Sequence, residues 1–449
     1  MSFYLFWPDE VEMKDAGFES VAHVPCVFNG LWQYQVEASL YLRQRALLET
    51  FVTDVSQVKF QAPRYPTSKS LETFGSAITN FLEWCEASAL KWQDLEFTEG
   101  IIKGYQTRML DGTWSERNKS LAASTVNGRV GEACNFLRWA ASRGLRGPFA
   151  VISSSRAISS DSKSSAIGHR PKLVEQRAGM VRPDPKTLRM PTDSEVAAWH
   201  QSVQIEYGFS KALACELVVK TALRREEVVQ WRVDTLPLER AHWNVVGDYV
   251  TVEVKCGTKG QKHRDSTREL VGPSRFITVP LELAERIAEY RELKRPGLLA
   301  KFARAAPTLQ ERRARMSKPS RRLFLSDFDG RPISAWCLYQ AWTQVSRLPF
   351  PGWSPHPGRH YWACKWMLNA VRKRFDLLQR GKESEWTSRD ITATANDVLM
   401  LEVKPQLGHL SEKTSLQYLT WLQNTMRLTE VSDAYAASLD SVARTTIDG

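Results

Sequence analysis

Apolar residues recur along much of the chain with the period of a helix. Leu71, Phe74, Ile78, Phe81, Leu82 and Cys85 fall at intervals of about 3.6 residues, which predicts an amphipathic helix. Val126, Val130, Cys134, Leu137 and Trp139 repeat the pattern behind Ser124-Thr125-Val126-Asn127, and this second helix should end near Gly144. A more basic candidate covers Trp32 to Val52, with Leu40, Leu47, Leu48 and Phe51 set against Arg43 and Arg45. Thr192-Asp193-Ser194-Glu195 is a capping box, so a helix starts at Glu195 and reaches Val203, and helical sequence continues from Lys211 to Trp231. The period then shortens. Tyr249-Val250-Thr251-Val252-Glu253-Val254 alternates like a strand, a glycine-punctuated turn spans Cys256 to Lys262, and Arg275-Phe276-Ile277-Thr278-Val279 reads as another strand. Helices dominate from there to about residue 430. The expected fold class is mainly α with a small β-sheet.

The periodicity fails between about residues 149 and 190. Eight of the thirteen residues from Ser153 to Ser165 are serine, and Pro171, Pro183 and Pro185 punctuate the remainder of the stretch. Such sequence buries too little apolar surface to offset its ordering entropy, so residues 151–190 read as a linker. Its bases (Arg156, Lys163, Arg170, Lys172, Arg177, Arg182, Lys186 and Arg189) outnumber its three acids, which suits either a phosphate backbone or plain solvent. The linker separates a helical domain over 67–150 from a larger domain over 191–426. Residues 1–66 form an N-terminal extension, rich in aromatics at its start, whose role the pattern does not disclose. Residues 427–449 are a tail with Leu428, Val431, Tyr435 and Leu439 at near-helical spacing, suited to docking on another protomer or to fraying.

Composition narrows the class. At 449 residues the chain suggests two or three domains, and with 43% hydrophobic and 25% charged residues it can bury a sizeable core and is too apolar for wholesale disorder. Lys and Arg number 61 against 50 Asp and Glu, a formal net charge of +11 that points to a polyanionic partner. The seven cysteines are scattered with no C-x-x-C pair, so neither a zinc site nor a disulfide framework is expected. The N-terminus makes a poor signal peptide, and no apolar stretch is long enough to span a bilayer. A protein with no membrane association is expected.

Four short segments carry candidate chemistry. Thr221-Ala222-Leu223-Arg224-Arg225-Glu226-Glu227 is read as helix, with Glu227 one turn beyond Arg224. Gly257-Thr258-Lys259-Gly260-Gln261-Lys262-His263-Arg264 is a turn between strands. His356-Pro357-Gly358-Arg359-His360 opens a helix. Leu407-Gly408-His409 precedes Tyr418 by nine residues. Taken singly, each has an ordinary reading as a surface ion pair, a solvated turn, a helix start or a core tyrosine.

Together and in this order, the segments resemble the catalytic domain of the tyrosine recombinases, the phage-integrase family of site-specific recombinases. The first segment resembles that family's first arginine box, the second its β-hairpin lysine, the third its His-x-x-Arg-His box and the fourth its closing box. Residues 67–146, with Thr125-Val126-Asn127 and Phe136-Leu137-Arg138-Trp139, resemble its core-binding domain. The likeness covers about residues 67 to 425. It implies a two-domain C-clamp of core-binding and catalytic domains around double-stranded DNA. It also implies a homo-tetramer in the synaptic complex, a monomer or dimer off DNA, no cofactor and no metal. Arg224, Lys259, His356, Arg359 and His409 would be catalytic beside the nucleophile Tyr418, supported by Glu227, Lys262 and His360. Accessory DNA-bending or co-encoded recombinase proteins are further candidate partners, and a cytoplasmic, nucleoid-associated location is implied.

Elementary chemistry agrees with the implied roles. A tyrosyl phosphodiester keeps the energy of a cut DNA bond, so rejoining needs neither metal nor ATP. Two guanidiniums, Arg224 and Arg359, match the charge of a phosphorane-like transition state, and Lys259 or Lys262 would protonate the leaving 5′-hydroxyl. Thr125, Asn127, Arg129 and Arg138 are candidate DNA contacts. So are Arg312, Arg313, Arg315, Lys318, Arg321 and Arg322, from a stretch (Arg291 to Arg322) with eleven Lys/Arg against two Glu. The distance from His356 to His409 exceeds the family's usual gap through a polar insertion around Arg374 to Asp397, expected to be a surface loop or a subunit contact. A telomere resolvase, a type IB topoisomerase-like strand transferase and a catalytically silent DNA-binding regulator are the rival functions.

Overall fold

The computed structural model describes residues 2–48, 65–115, 118–158, 172–182, 188–260, 262–265, 270–379, 388–408 and 417–425. The chain divides into two compact units, Met1–Lys186 and Thr187–Gly449. Helices dominate both, with small antiparallel sheets, as the patterning predicts. Among the described residues no helix is long and apolar enough to cross a membrane.

In the first unit, β1 (Tyr4–Phe6) pairs with β2 (Cys26–Phe28), and α1 (Glu10–Asp15) lies between them in sequence. Then come α2 (Val36–Ala46), α3 (Ser68–Ala87), a π-wound segment Phe97–Gln106 leading into α4 (Thr107–Leu110), and α5 (Ala123–Ser142). Thr67 caps α3 through its hydroxyl, and the face spelled by Leu71, Ile78, Phe81, Leu82 and Cys85 is buried. The expected helix over Trp32 to Val52 is shorter, Val36–Ala46, and residues 49–64 lie outside the described part. Its contribution is large nonetheless. Val24, Val27, Tyr41 and Leu42 sit in one core with α3 and α5. The Tyr41 hydroxyl donates to Glu132 at 2.6 Å, and the Trp139 indole donates to Gln44 at 2.7 Å. The serine-rich segment, expected to be a linker, begins as β3 (Ser153–Ile158) paired with β4 (Lys172–Arg177), and Ala178 and Val181 then pack on the same core.

The second unit opens with α6 (Asp193–Tyr207), whose capping box at Thr192 and Glu195 forms as predicted. Next are α7 (Phe209–Thr221) and α8 (Arg225–Val229), so the expected single helix from Lys211 to Trp231 is two. The break is at Ala222, in the left-handed region with φ 55°, where the chain turns sharply. β5 (Asn244–Val246), β6 (Tyr249–Val254) and β9 (Arg275–Pro280) form the sheet with β6 central, and β7 (His263–Arg264) pairs with β8 (Leu270–Val271) in the intervening arm. Val250 pairs with Val279 and Val252 with Ile277, all buried on the inward face. The helices α9 (Leu281–Glu289), α10 (Arg295–Arg304), α11 (Leu309–Ser317) and α12 (Ala335–Thr343) come after the sheet. A long α13 (Pro355–Gln379) and α14 (Ser388–Val398) come next, and a π-wound turn Leu399–Val403 leads into the short α15 (Lys404–Leu407). The insertion around Arg374 to Asp397 is thus helical over its described part, not a surface loop. Trp199, Trp231, Trp342 and Trp353 anchor one core; Met367, Val371, Leu399, Leu407 and Tyr418 belong to another.

The Gln406 amide joins the sheet to α15. It accepts from the Thr278 N–H at 2.9 Å and donates to Thr278 O at 3.0 Å and Thr221 O at 2.9 Å. It occupies the open edge of β9 as a neighbouring strand would. Gln406→Ala would leave these buried groups unsatisfied, and we expect a loss of about 3 kcal/mol in the unit's chemical-denaturation stability.

Candidate active site

The site grows from the end of α7. After the left-handed turn at Ala222, Arg224 is extended (φ −71°, ψ 149°) and stands at the N-cap of α8, not inside a helix as the sequence suggested. Glu227, three residues on, folds back. Its Oε2 accepts the Arg224 backbone N–H at 2.6 Å and its Oε1 accepts the guanidinium at 3.0 Å. The same Oε2 accepts from Arg275 at 2.7 Å, and Arg359 Nη1 lies 3.9 Å from it. Glu227 is fully buried, so one carboxylate faces three guanidiniums in a site of low dielectric.

Three consecutive backbone carbonyls at the end of α15 complete the arrangement. Gln406 O accepts from Arg275 at 3.0 Å, Leu407 O from Arg359 at 3.0 Å, and Gly408 O from Arg224 at 3.1 Å. These are the orphan acceptors of a helix C-terminus, where the dipole favours cations. Gly408 is left-handed (φ 61°), and a Cβ there would come within 2.9 Å of the Arg275 side chain, so glycine is needed both for the turn and for the approach.

Among the described residues the cluster keeps an excess of two positive charges, three guanidiniums against one carboxylate. Burial, reinforced by the charge of Arg224, lowers the Arg359 pKa to about 9, and burial likewise lowers that of Arg275. Arg359 Nη1 is buried with no hydrogen-bond partner among the described residues. Such a site gains by binding an oxyanion, which would relieve the repulsion and accept the spare donors.

His356, Arg359 and His360 lie on one face of α13, as spacings of three and four residues require. His356 and His360 meet edge to face at 4.4 Å, and His360 Nδ1 is 2.9 Å from the Tyr418 hydroxyl. Tyr418 sits in the helical stretch 417–425 and is buried. Burial pushes its pKa above the usual phenol value, and the charge of Arg359 opposes the shift. A neutral phenol is therefore held beside an imidazole and a buried cation, the setting in which a nucleophile is activated by proton transfer.

Lys259 and Lys262 are exposed. Their turn leans on the start of α8: Gly257 is left-handed (φ 72°), and a Cβ there would fall 2.3 Å from Glu226 O. His409 lies outside the described residues. Among those described, no group of three or more His, Cys, Asp or Glu side chains is placed to hold a metal ion.

The residues expected to touch DNA divide. Thr125 and Arg138 are exposed on α5, and Arg312, Arg313 and Lys318 are exposed in or just after α11. Asn127, by contrast, is committed within the first unit: its amide bonds Val181 N and O and Arg177. Arg129 donates to Asn80. Arg315 packs on Phe302 and pairs with Glu311, Arg321 pairs with Asp234, and Arg322 is half-buried. Part of the basic stretch is structural as well, since Arg291 and Arg295 are buried and donate to backbone carbonyls, among them Leu236 O and Leu323 O.

Sequence reasoning missed Arg275 and the three carbonyls. Arg275 shares its strand face with Ile277 and Val279, and a charge in an inward register was a readable sign of a buried partner.

No protein-family model matches the chain, and no curated protein matches it. Among solved structures it is similar to the XerH site-specific recombinase bound to palindromic difH substrate in a post-cleavage complex (13% identity, TM-score 0.46, 82% of this chain and 80% of that one). It is also similar to the Tn1549 transposon integrase in complex with circular intermediate DNA (14% identity, TM-score 0.43, 85% and 94%). A third is a lambda integrase dimer bound to a COC′ core site (14% identity, TM-score 0.42, 85% and 94%).

The site makes two outcomes testable. Glu227→Gln keeps the shape but removes the carboxylate charge that balances the arginines, and should lower denaturation stability by about 3–5 kcal/mol. The raised pKa of Tyr418 means that its phenol remains neutral after free tyrosines ionise near pH 10. Its stabilising contribution is complete below that pH and is lost as pH rises toward the folded value. Ultraviolet titration should therefore show the same phenolate absorbance for wild type and Tyr418→Phe up to about pH 11, where an ordinary tyrosine has already ionised.

Proposed function

We propose that this chain is a tyrosine-type site-specific DNA recombinase, cutting and rejoining double-stranded DNA through a covalent bond between Tyr418 and a 3′-phosphate. One observation carries the reading: residues from separate segments, Arg224, Glu227, Arg359, His360 and Tyr418, converge on an oxyanion-ready cluster with a buried phenol at its side. Their order along the chain supports the same conclusion.

In this reading Arg224 and Arg359 hold the non-bridging oxygens of the scissile phosphate and stabilise the charge that builds there. The Tyr418 oxygen attacks phosphorus as the bond to the 5′-oxygen breaks, and the phenolic proton passes to His360 Nδ1, with His356 against that ring. Lys259, or Lys262 from the same turn, gives the leaving 5′-oxygen its proton. His409 hydrogen-bonds a non-bridging oxygen. Arg275 and Glu227 act through the other two arginines and are positioning residues. The ester conserves the bond energy, so attack by a partner strand's 5′-hydroxyl reseals DNA without metal or ATP. Exchange between two sites assembles four protomers, and Thr125, Arg138, Arg312, Arg313 and Lys318 supply phosphate contacts that weaken with salt.

The test is a nicked suicide duplex bearing the junction of the element that encodes the chain, run on a denaturing gel. Wild type should give a covalent band that Tyr418→Phe abolishes while shift-gel binding survives. Arg224→Ala should slow its appearance by about 10²–10³-fold. Strand exchange between two such sites separates recombination from topoisomerase-like relaxation. Binding with no covalent band in the wild type would overturn the catalytic reading.

A further inference from the structure

The first 37 residues differ from the rest of the chain in both surface and charge. In the β1–β2 pair, Leu5 and Val27 face inward while Tyr4, Phe6 and Phe28 face out. The outward rings continue into the loop after β2. Tyr4 stacks on Trp32 at 5.5 Å and 13°, Phe6 meets Phe28 edge to face at 5.9 Å, and Phe28 contacts Tyr34 at 5.6 Å. Leu31 is 65% exposed and Trp32 64% exposed. A continuous aromatic surface of this kind on a folded unit marks an interaction site.

The loop is built to present it. Trp32 is held at φ 57°, a left-handed conformation that a bulky side chain rarely adopts. Asn29 enforces the conformation: its Oδ1 accepts from Leu31 N and Gln33 N, its backbone N–H donates to Gln33 O, and its carbonyl accepts from Trp32 N. Strain maintained by a local hydrogen-bond network, with the strained side chain in solvent, contributes little to the core.

Charge identifies the partner. These 37 residues carry six acids (Asp9, Glu10, Glu12, Asp15, Glu19 and Glu37), all exposed, against the single lysine Lys14, which lies 4.0 Å from Glu10. Single-stranded nucleic acid stacks on aromatics along a cationic groove that tracks its backbone, and a segment with six acids against one lysine supplies no such groove. The whole chain is nevertheless at +11, so everything beyond this segment is more basic still. Exposed guanidiniums outside the proposed phosphate contacts, such as Arg347 and Arg372, are what an aromatic face in an acidic segment attracts, by charge and by cation–π contact. We infer that the β1–β2 face with Leu31 and Trp32 is a protein-docking surface, and that its partner is the basic surface of a second copy of this chain. The contact joins unlike patches, so it runs head to tail. It does not depend on the catalytic reading above.

Sedimentation velocity of the full chain over a concentration series, at low and high salt, tests this. Wild type should self-associate, more weakly as salt rises. Trp32→Gly removes the ring and suits the left-handed backbone. It should raise the self-dissociation constant about tenfold or more with the melting temperature kept or slightly raised. Glu12→Lys with Glu19→Lys should cause a similar loss and flatten the salt dependence. A wild type that stays monomeric at low salt, or a Trp32→Gly chain that associates as wild type does, overturns the inference. So does a Trp32→Gly chain that melts well below wild type, which would make the ring structural. Loss of single-stranded DNA binding in Trp32→Gly without loss of self-association would make the face a base-stacking platform instead.

Discussion

One buried carboxylate, Glu227, holds three guanidiniums within 3.9 Å, and the end of α15 holds the same three through its last carbonyls. Neither half suffices alone. A lone carboxylate leaves the cluster too positive to bury, and carbonyl dipoles without a full charge do not offset the desolvation of three cations. The elements around the site are arranged to bring these halves together: the left-handed turn after α7, the edge of β9 and the glycine at 408.

This construction separates support from chemistry. Arg275 is committed to Glu227 and Gln406 O, while among the described residues Arg359 keeps an unbonded nitrogen and Arg224 remains partly open. The residual charge is therefore available to an incoming anion, and the fold has already met the cost of orienting it. The same burial that lowers the pKa of Arg359 and Arg275 keeps the Tyr418 phenol neutral, so the phenol and the guanidiniums share one dry environment.

The two units use charge in opposite ways. The second concentrates cations and neutralises many of them internally, as Arg291 and Arg295 do on backbone carbonyls. The first begins with an acidic segment that carries exposed rings, in contrast with the basic whole. A count of lysines and arginines along the chain overstates its basic surface, because a guanidinium can serve as a buried capping group as readily as an exposed charge.

Periodicity made α3, α5, α6, β6 and β9 legible within a few residues, because each buries one face and repeats its own pattern. The order of arginine, turn lysine, His-x-x-Arg-His and tyrosine is local sequence as well, and the proposed chemistry rests on it, since these residue types can supply charge, proton transfer and a phenol oxygen. What required tertiary structure was everything set by contacts distant in sequence. Ala222 interrupts a helical pattern because Arg224 must turn toward Gly408, 184 residues away. The amide of Asn127, expected to touch DNA, is used by a segment 54 residues on, and residues 2–48 joined a core that their own aperiodic sequence does not announce. Local pattern determines which residues face inward; which charges then meet there is decided only when the chain has closed around them.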